Sequence, residues 1–199
     1  ELFARPFKNR TVGVAVGTFA AGFLTKMGFL ANKKKSKAFL VVFGVYLALL
    51  VWCILFKFSL RPEEIPHLRG INLIPYAASV VVNGKVQISE IIENMLVFLP
   101  FGLCISAFYP DSEIQNRILL ASGLSLFFEV TQYIFAIGAS DITDVIDNTL
   151  GAVIGILLYL GMKKIWKEKT GKIITILGAV LEVLFLALLF FTFAANRMF

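Results

Sequence analysis

Five stretches of this chain, residues 38–58, 89–109, 116–137, 143–162 and 173–195, are apolar almost without interruption. Each provides about the 20 residues that a helix needs to cross the hydrocarbon of a bilayer. None alternates polar and apolar residues as a barrel strand does, and only helices or closed barrels satisfy their backbone in lipid. The pattern predicts an all-α, polytopic transmembrane helical bundle with five firm spans. A sixth stretch, 11–31, is long enough to span, but Gly13, Gly17, Gly22 and Gly28 weaken it as a helix and Lys26 interrupts it. It reads as a close-packed span, a re-entrant segment or an interfacial helix. A signal peptide is a further reading, since Arg5, Lys8 and Arg10 precede the apolar run, although no small-residue cleavage site follows. On this pattern residues 1–37 form an N-terminal membrane-associated segment and residues 38–199 a transmembrane domain.

Composition agrees. With 58% hydrophobic and 16% charged residues in 199, the chain carries more apolar surface than a soluble domain of that size buries. Its cations are clustered: Lys33, Lys34, Lys35 and Lys37 precede the first firm span, and Lys163, Lys164, Lys167, Lys169 and Lys172 fill the connection before the last. An even number of crossings separates the clusters, so both lie on one side, which the positive-inside rule makes the cytoplasm. Residues 59–89 and the short connection 138–142 are then external. The N-terminus would be external too if 11–31 spans, which counts against that reading. Topology and anionic lipid account for the net charge of +6, and no arginine-rich or aromatic pattern suggests a nucleic-acid partner.

The informative residues are the polar ones inside the apolar runs: Glu93 and Asn94, Glu129 and Gln132, then Asp144, Asp147 and Asn148. A charged group within a span costs about 3 kcal/mol on insertion scales, so such residues face a bundle interior or a wet cavity. Counted at 1.5 Å per residue, Glu129 lies about 12 Å below the outer end of its span and Asn148 about 8 Å below the start of the next. Glu93 and Asn94 enter theirs from the same side. All three sets fall in the outer half of the membrane, where a cavity open to the outside would hydrate them. Asp144, Asn148, Gly151 and Gly155 share one helical stripe with Asp141 beside it, and Ser122, Ser125, Glu129 and Gln132 form another. Two such stripes on consecutive antiparallel helices are expected to face each other, the glycines permitting close approach. Amides in spans also serve as plain interhelical glue, which is the competing reading for Gln132 and Asn148. Two carboxylates at that depth are not needed for packing, so Glu129 and Asp144 are the candidate catalytic or ion-binding pair.

Other residues add little. Cys53 and Cys104 sit within spans without a CxxC spacing and read as small buried apolar residues. His67, the one histidine, reads as a loop residue.

Four spaced motifs complete the picture: Asn72-Leu73-Ile74-Pro75; Asn94-x-x-x-Phe98-x-Pro100-x-Gly102; Ser125-x-x-x-Glu129-x-x-Gln132; and Asp141-x-x-Asp144-x-x-x-Asn148-x-x-Gly151-x-x-x-Gly155. In order and interval they resemble the VanZ-like family of bacterial membrane proteins, over a motif core of residues 72–159. The resemblance implies a multi-pass protein of the bacterial cell membrane, implicated in low-level resistance to teicoplanin and related glycopeptides. Its motifs include Asn72, Asn94, Gln132, Asp141 and Asn148, which with Glu93, picked out by its place in the span, are the ligand-binding candidates around Glu129 and Asp144; Asn72 and Pro75 are expected to shape a lid, since Pro fixes the loop backbone and Asn caps a turn. Two departures stand out. Relatives often carry an arginine in the loop before the aspartates, where Gly138-Ala139-Ser140 offers none, leaving Arg61 or Arg69 to take that part. Asp147 stands where relatives commonly have an apolar residue.

Three functions fit these residues. The protein can act at the outer half of the membrane on lipid-anchored antibiotics or cell-wall precursors, with membrane lipid and a lipoglycopeptide as partners. It can be an intramembrane enzyme or binding protein for a lipid-linked or polyprenyl-phosphate substrate, its carboxylates holding Mg²⁺ or supplying a general acid. It can be a small proton-coupled transporter, although no inverted repeat is visible. Neither a cofactor nor a metal is specified by the sequence.

Overall fold

The computed structural model describes residues 36–56, 70–76, 81–82, 85–86 and 88–197. The 11–31 stretch and the loop residues Arg61, His67 and Arg69 lie outside them. Five helices dominate: α1, Lys37–Phe56; α2, Ile88–Phe108; α3, Ile114–Phe135; α4, Ile142–Trp166; and α5, Thr170–Arg197. Between α1 and α2 lie three two-residue strands, β1 at Ile71–Asn72, β2 at Val81–Val82 and β3 at Lys85–Val86. A fourth, β4, at Ser140–Asp141, joins α3 to α4. β2 and β3 pair as a small antiparallel hairpin, while β1 and β4 pair in parallel across 69 residues of chain, Asn72 opposite Asp141.

Four segments are long and apolar enough to cross a membrane: Lys37–Leu55, Ile88–Phe108, Ile114–Phe135 and Ile142–Thr192. The fourth contains both α4 and α5, separated by one turn of 3-10 helix at Lys167–Lys169. Lys167 breaks the run with φ 47°, and the buried Thr170 closes the turn by donating its hydroxyl to the Lys167 and Met162 carbonyls.

Side-chain pairings fix the direction of each helix. Phe39 stacks near Phe108 and Phe43 near Phe101, so α1 and α2 are antiparallel. Gln132 at the end of α3 reaches Ile54 at the end of α1. Arg117, at the start of α3, lies against the Tyr159 ring near the end of α4. Gly178 sits against Val42, which brings the first turns of α5 level with the first turns of α1. The chain therefore runs back and forth, with Lys37, Lys163, Lys164 and Lys167 gathered at one end.

The core is built from phenylalanine and missing side chains. Phe43, Phe98, Phe101, Phe108 and Phe128 are buried, with ring centroids about 6 Å apart in tilted or edge-on pairs, the arrangement that ring quadrupoles favour. Along the α2–α4 seam a Cβ placed on Gly102 would strike the Ala152 carbonyl, one on Gly151 the Met95 carbonyl, and one on Gly155 the Leu99 carbonyl. The two backbones touch there. This glycine stripe was expected to meet the preceding helix, α3, but it meets α2; the contact with α3 falls one turn earlier, at Asn148. Facing outward are large apolar residues such as Leu119, Ile165, Phe190 and Phe191, each about 70% exposed and suited to lipid.

Pro100 interrupts α2 and removes one intrahelical donor. The Tyr46 hydroxyl donates to the Val97 carbonyl at 2.8 Å, three residues before the proline, so a neighbouring helix serves the loosened turn.

Candidate functional site

At the end of the bundle opposite the lysines, four helices enclose a cavity of about 370 Å³. The last turn of α1 contributes Cys53 and Ile54; the first turns of α2 contribute Ser89, Glu90, Glu93, Asn94 and Val97. Glu129 and Gln132 come from the end of α3, and Asp144 and Asn148 from the start of α4. Helical phase explains the convergence: Glu129 and Gln132 are three apart, and Asp144 and Asn148 four apart, so each pair shares one face. Six of the eight sequence candidates, Glu93, Asn94, Glu129, Gln132, Asp144 and Asn148, thus line one wall-to-wall space. Cys53, expected to be a bland apolar residue, lies on its wall.

Each amide in the cavity holds a neighbour. Asn94 donates to Asp144 Oδ1 at 2.9 Å, Gln132 to the Ile54 carbonyl at 2.9 Å, and Asn148 to the Ser125 hydroxyl at 2.9 Å. Gln132 and Asn148 thus each make one bond to a neighbouring helix through their nitrogens. Their oxygens, Gln132 Oε1 and Asn148 Oδ1, are buried and have no hydrogen-bond partner. An unpaired buried amide oxygen costs about 1–3 kcal/mol.

Asn72 and Asp141 do not line the cavity. Asp141 caps α4, its Oδ1 accepting the Thr143 backbone N–H at 2.8 Å, while its Oδ2 accepts Asn72 Nδ2 at 2.9 Å. Its own backbone N–H donates to Glu129 Oε2 at 2.7 Å. Asp141 is thus a buttress between β1 and a cavity carboxylate. Asn72 folds the loop as well, its Oδ1 accepting the Ile74 N–H at 3.2 Å in an Asx-turn. α3 ends against this buttress in a Schellman turn: Ala136 takes the left-handed conformation, φ 54°, as Ile137 N–H reaches the Gln132 carbonyl.

Some contributors lay outside the sequence candidates. Tyr76, at φ 58°, donates its backbone N–H to the Thr143 hydroxyl at 3.0 Å and its phenol to Asp147 Oδ1 at 2.9 Å. Desolvation, and then the Asp147 carboxylate, push its pKa up, so the phenol stays a donor. Asp147, the departure from the family pattern, thereby has a local partner. The sequence signal was an aromatic one residue after the Asn-x-x-Pro turn, but only the fold brings it to α4. Glu182, an acid in the apolar α5, lies beside the Tyr46 backbone and Cys104. Arg117 is buried near the opposite end, where its guanidinium donates to the Pro110 and Ser112 carbonyls.

Chemically the cavity is rich in carboxylates. Glu90, Glu93, Glu129 and Asp144 bring carboxylates to its lining, and Ser89 a hydroxyl, while Asn94 uses one of its two amide hydrogens on Asp144. Among the described residues, no group of three or more His, Cys, Asp or Glu side chains could hold a metal ion. A cation held by Glu129 and Asp144 would need the amide oxygens or its ligand to complete the shell.

The profile of the VanZ/LLP1 family matches residues 43–167, from within α1 to the turn after α4. "Protein VanZ" of Enterococcus faecium is 38% identical to the chain over 146 residues, covering 72% of this chain and 87% of that protein. No solved structure matches.

Proposed function

The chain belongs to the VanZ/LLP1 family, and from that premise we propose that it lowers susceptibility to lipid-tailed glycopeptides such as teicoplanin. It does so from a ligand site in the outer half of the bacterial cell membrane, acting on the lipid-anchored antibiotic or on a lipid-anchored cell-wall precursor. The observation that carries this reading is the meeting of polar side chains from α2, α3 and α4 in one cavity at the end remote from the basic residues. The positive-inside rule assigns the basic end to the cytoplasm and the cavity to the exterior. In this topology α4 and α5 cross separately, giving five crossings. The cavity volume lies in the range of small-molecule sites, about 300–1,000 Å³, which suits a headgroup or a sugar rather than a whole glycopeptide.

The test is susceptibility. Cells expressing the chain should tolerate more teicoplanin than empty-vector cells, with vancomycin, which has no lipid tail, unchanged. Equal teicoplanin susceptibility at verified membrane expression would remove the resistance reading.

A further inference from the structure

The segment from Gly70 to Tyr76 turns polar atoms inward and apolar side chains outward, the reverse of a loop that faces water. The strand period sends Asn72 toward Asp141 and leaves Ile71 and Leu73 on the other side. Ile71 is 58% exposed, Leu73 72% and Ile74 66%. Inward, the Gly70 carbonyl accepts the Ser140 N–H, Asn72 binds Asp141 and the Ile74 N–H, and Tyr76 binds Thr143 and Asp147. No charged residue occurs from Gly70 to Tyr76.

The same bonds set the depth of the loop. Asn72 stands opposite Asp141, the cap of α4, and the apolar segment long enough to cross a membrane begins at Ile142. Four residues on, the Tyr76 backbone reaches Thr143 and its phenol reaches Asp147, which lies about 8 Å along α4 from Ile142 at 1.5 Å per residue. The loop therefore descends beside α4 from its cap into its first turns, and Leu73, Ile74 and Pro75 flank the start of a span. At the same end of the bundle Ile88 and Ile92 on α2, and Tyr133 and Ile134 on α3, are exposed, so the tip continues a surface suited to lipid.

We propose that Ile71, Leu73 and Ile74 form a membrane-inserting tip, seated between headgroups and acyl chains in the leaflet at the cavity end, with lipid as its partner. Interfacial elements bury their apolar face about 5–10 Å into that boundary, which is the slice that the bonds to α4 assign to the tip. Being uncharged, the tip takes zwitterionic lipid. Asn72 holds Asp141, whose N–H holds Glu129, so two hydrogen bonds join the tip to a cavity carboxylate, and its depth sets the level of the cavity against the headgroups. The inference needs only that the helices span a membrane; it rests on neither the sidedness nor the resistance reading.

Two probes of opposite bias test it on the full chain in phosphatidylcholine nanodiscs. Leu73→Cys, in a background lacking Cys53 and Cys104, should react with a charged, water-soluble maleimide about tenfold more slowly than Ala139→Cys, because the reactive thiolate forms in water; Ala139 is exposed in the connection between α3 and α4. Leu73→Trp, with Trp52 and Trp166 replaced by Phe, should be quenched severalfold more by lipid brominated high on its acyl chains than by lipid brominated near their ends. Leu181→Trp, near the middle of α5, should show the reverse order. Leu73 is exposed, so neither probe strains the core. A thiol as reactive as that at position 139 would overturn the proposal whatever the tryptophan shows, leaving the tip to a partner in the water phase. A slow thiol without the preference for shallow bromines would overturn it as well, placing the tip against protein. Neither readout involves a glycopeptide, so either reading can fail alone.

Discussion

Glu129 and Asp144 are the pair proposed to carry the function, and their removal as charges is separable from their removal as shapes. Glu129→Gln and Asp144→Asn keep size and hydrogen-bonding capacity, so each should reach the membrane in normal amount while teicoplanin susceptibility returns to that of cells lacking the protein. Protection equal to the parent in both variants would reduce the pair to packing. Asp141 makes the opposite prediction. With both oxygens and its N–H committed to the protein, Asp141→Ala should cost about 1–2 kcal/mol of stability through the lost cap, seen as a lower melting temperature in detergent. Its cavity partners were legible in the sequence because helical phase fixes which side chains share a face. The role of Asp141 was not, since it depends on the register of β1 against β4, a long-range pairing that no local pattern encodes. Tyr76 escaped for the same reason.

Among the elements, the α2–α4 seam is where a single methyl group should matter most. Gly151→Ala would gain helix propensity, roughly 0.5–1 kcal/mol, but drives a methyl into the Met95 carbonyl, and overpacking of that kind costs about 1–3 kcal/mol. Loss should win, lowering the melting temperature. Gly123→Ala, on α3 with nothing within 4 Å of the added carbon, is the matched control and should be neutral or slightly stabilising. A Gly151→Ala protein as stable as its Gly123→Ala counterpart would show that the seam is loose. The glycine stripe itself was readable from spacing. Its partner was not, because the stripe says only that some backbone comes close, and the break at Pro100 with Gly102 beside it makes α2 the helix able to do so.

For the molecule as a whole, the lysine-rich end and the cavity end should lie on opposite faces of the membrane. In a background lacking Cys53 and Cys104, a cysteine at Lys167 should be shielded from an impermeant thiol reagent in intact cells, and one at the exposed Ala139 should label. The reverse result would put the cavity in the cytoplasmic half and end the proposal of an outer site. The apolar helical character, and the gathering of the polar sets at the end away from the lysines, were legible because hydropathy and charge act over whole segments. The lid expected of Asn72 and Pro75 resolves differently: Asn72 ties the loop to Asp141, beside the cavity wall rather than among its lining.

The glycine seam also decides how the cavity can breathe. A contact of backbone on backbone has no rotamers to exchange, and close-packed interiors yield by sliding intact elements rather than by local softening. α2 and α4, locked along Gly102, Gly151 and Gly155, therefore move as one slab and hold Glu93, Asn94, Asp144 and Asn148 at fixed separation. α3 is tied to that slab by Glu129 on the Asp141 N–H and by Asn148 on Ser125, so a change in the cavity's width falls first to α1, which the Gln132–Ile54 bond joins to α3. The site is a jaw whose rigid half includes Glu129, and α1 is the half with the fewest ties to it.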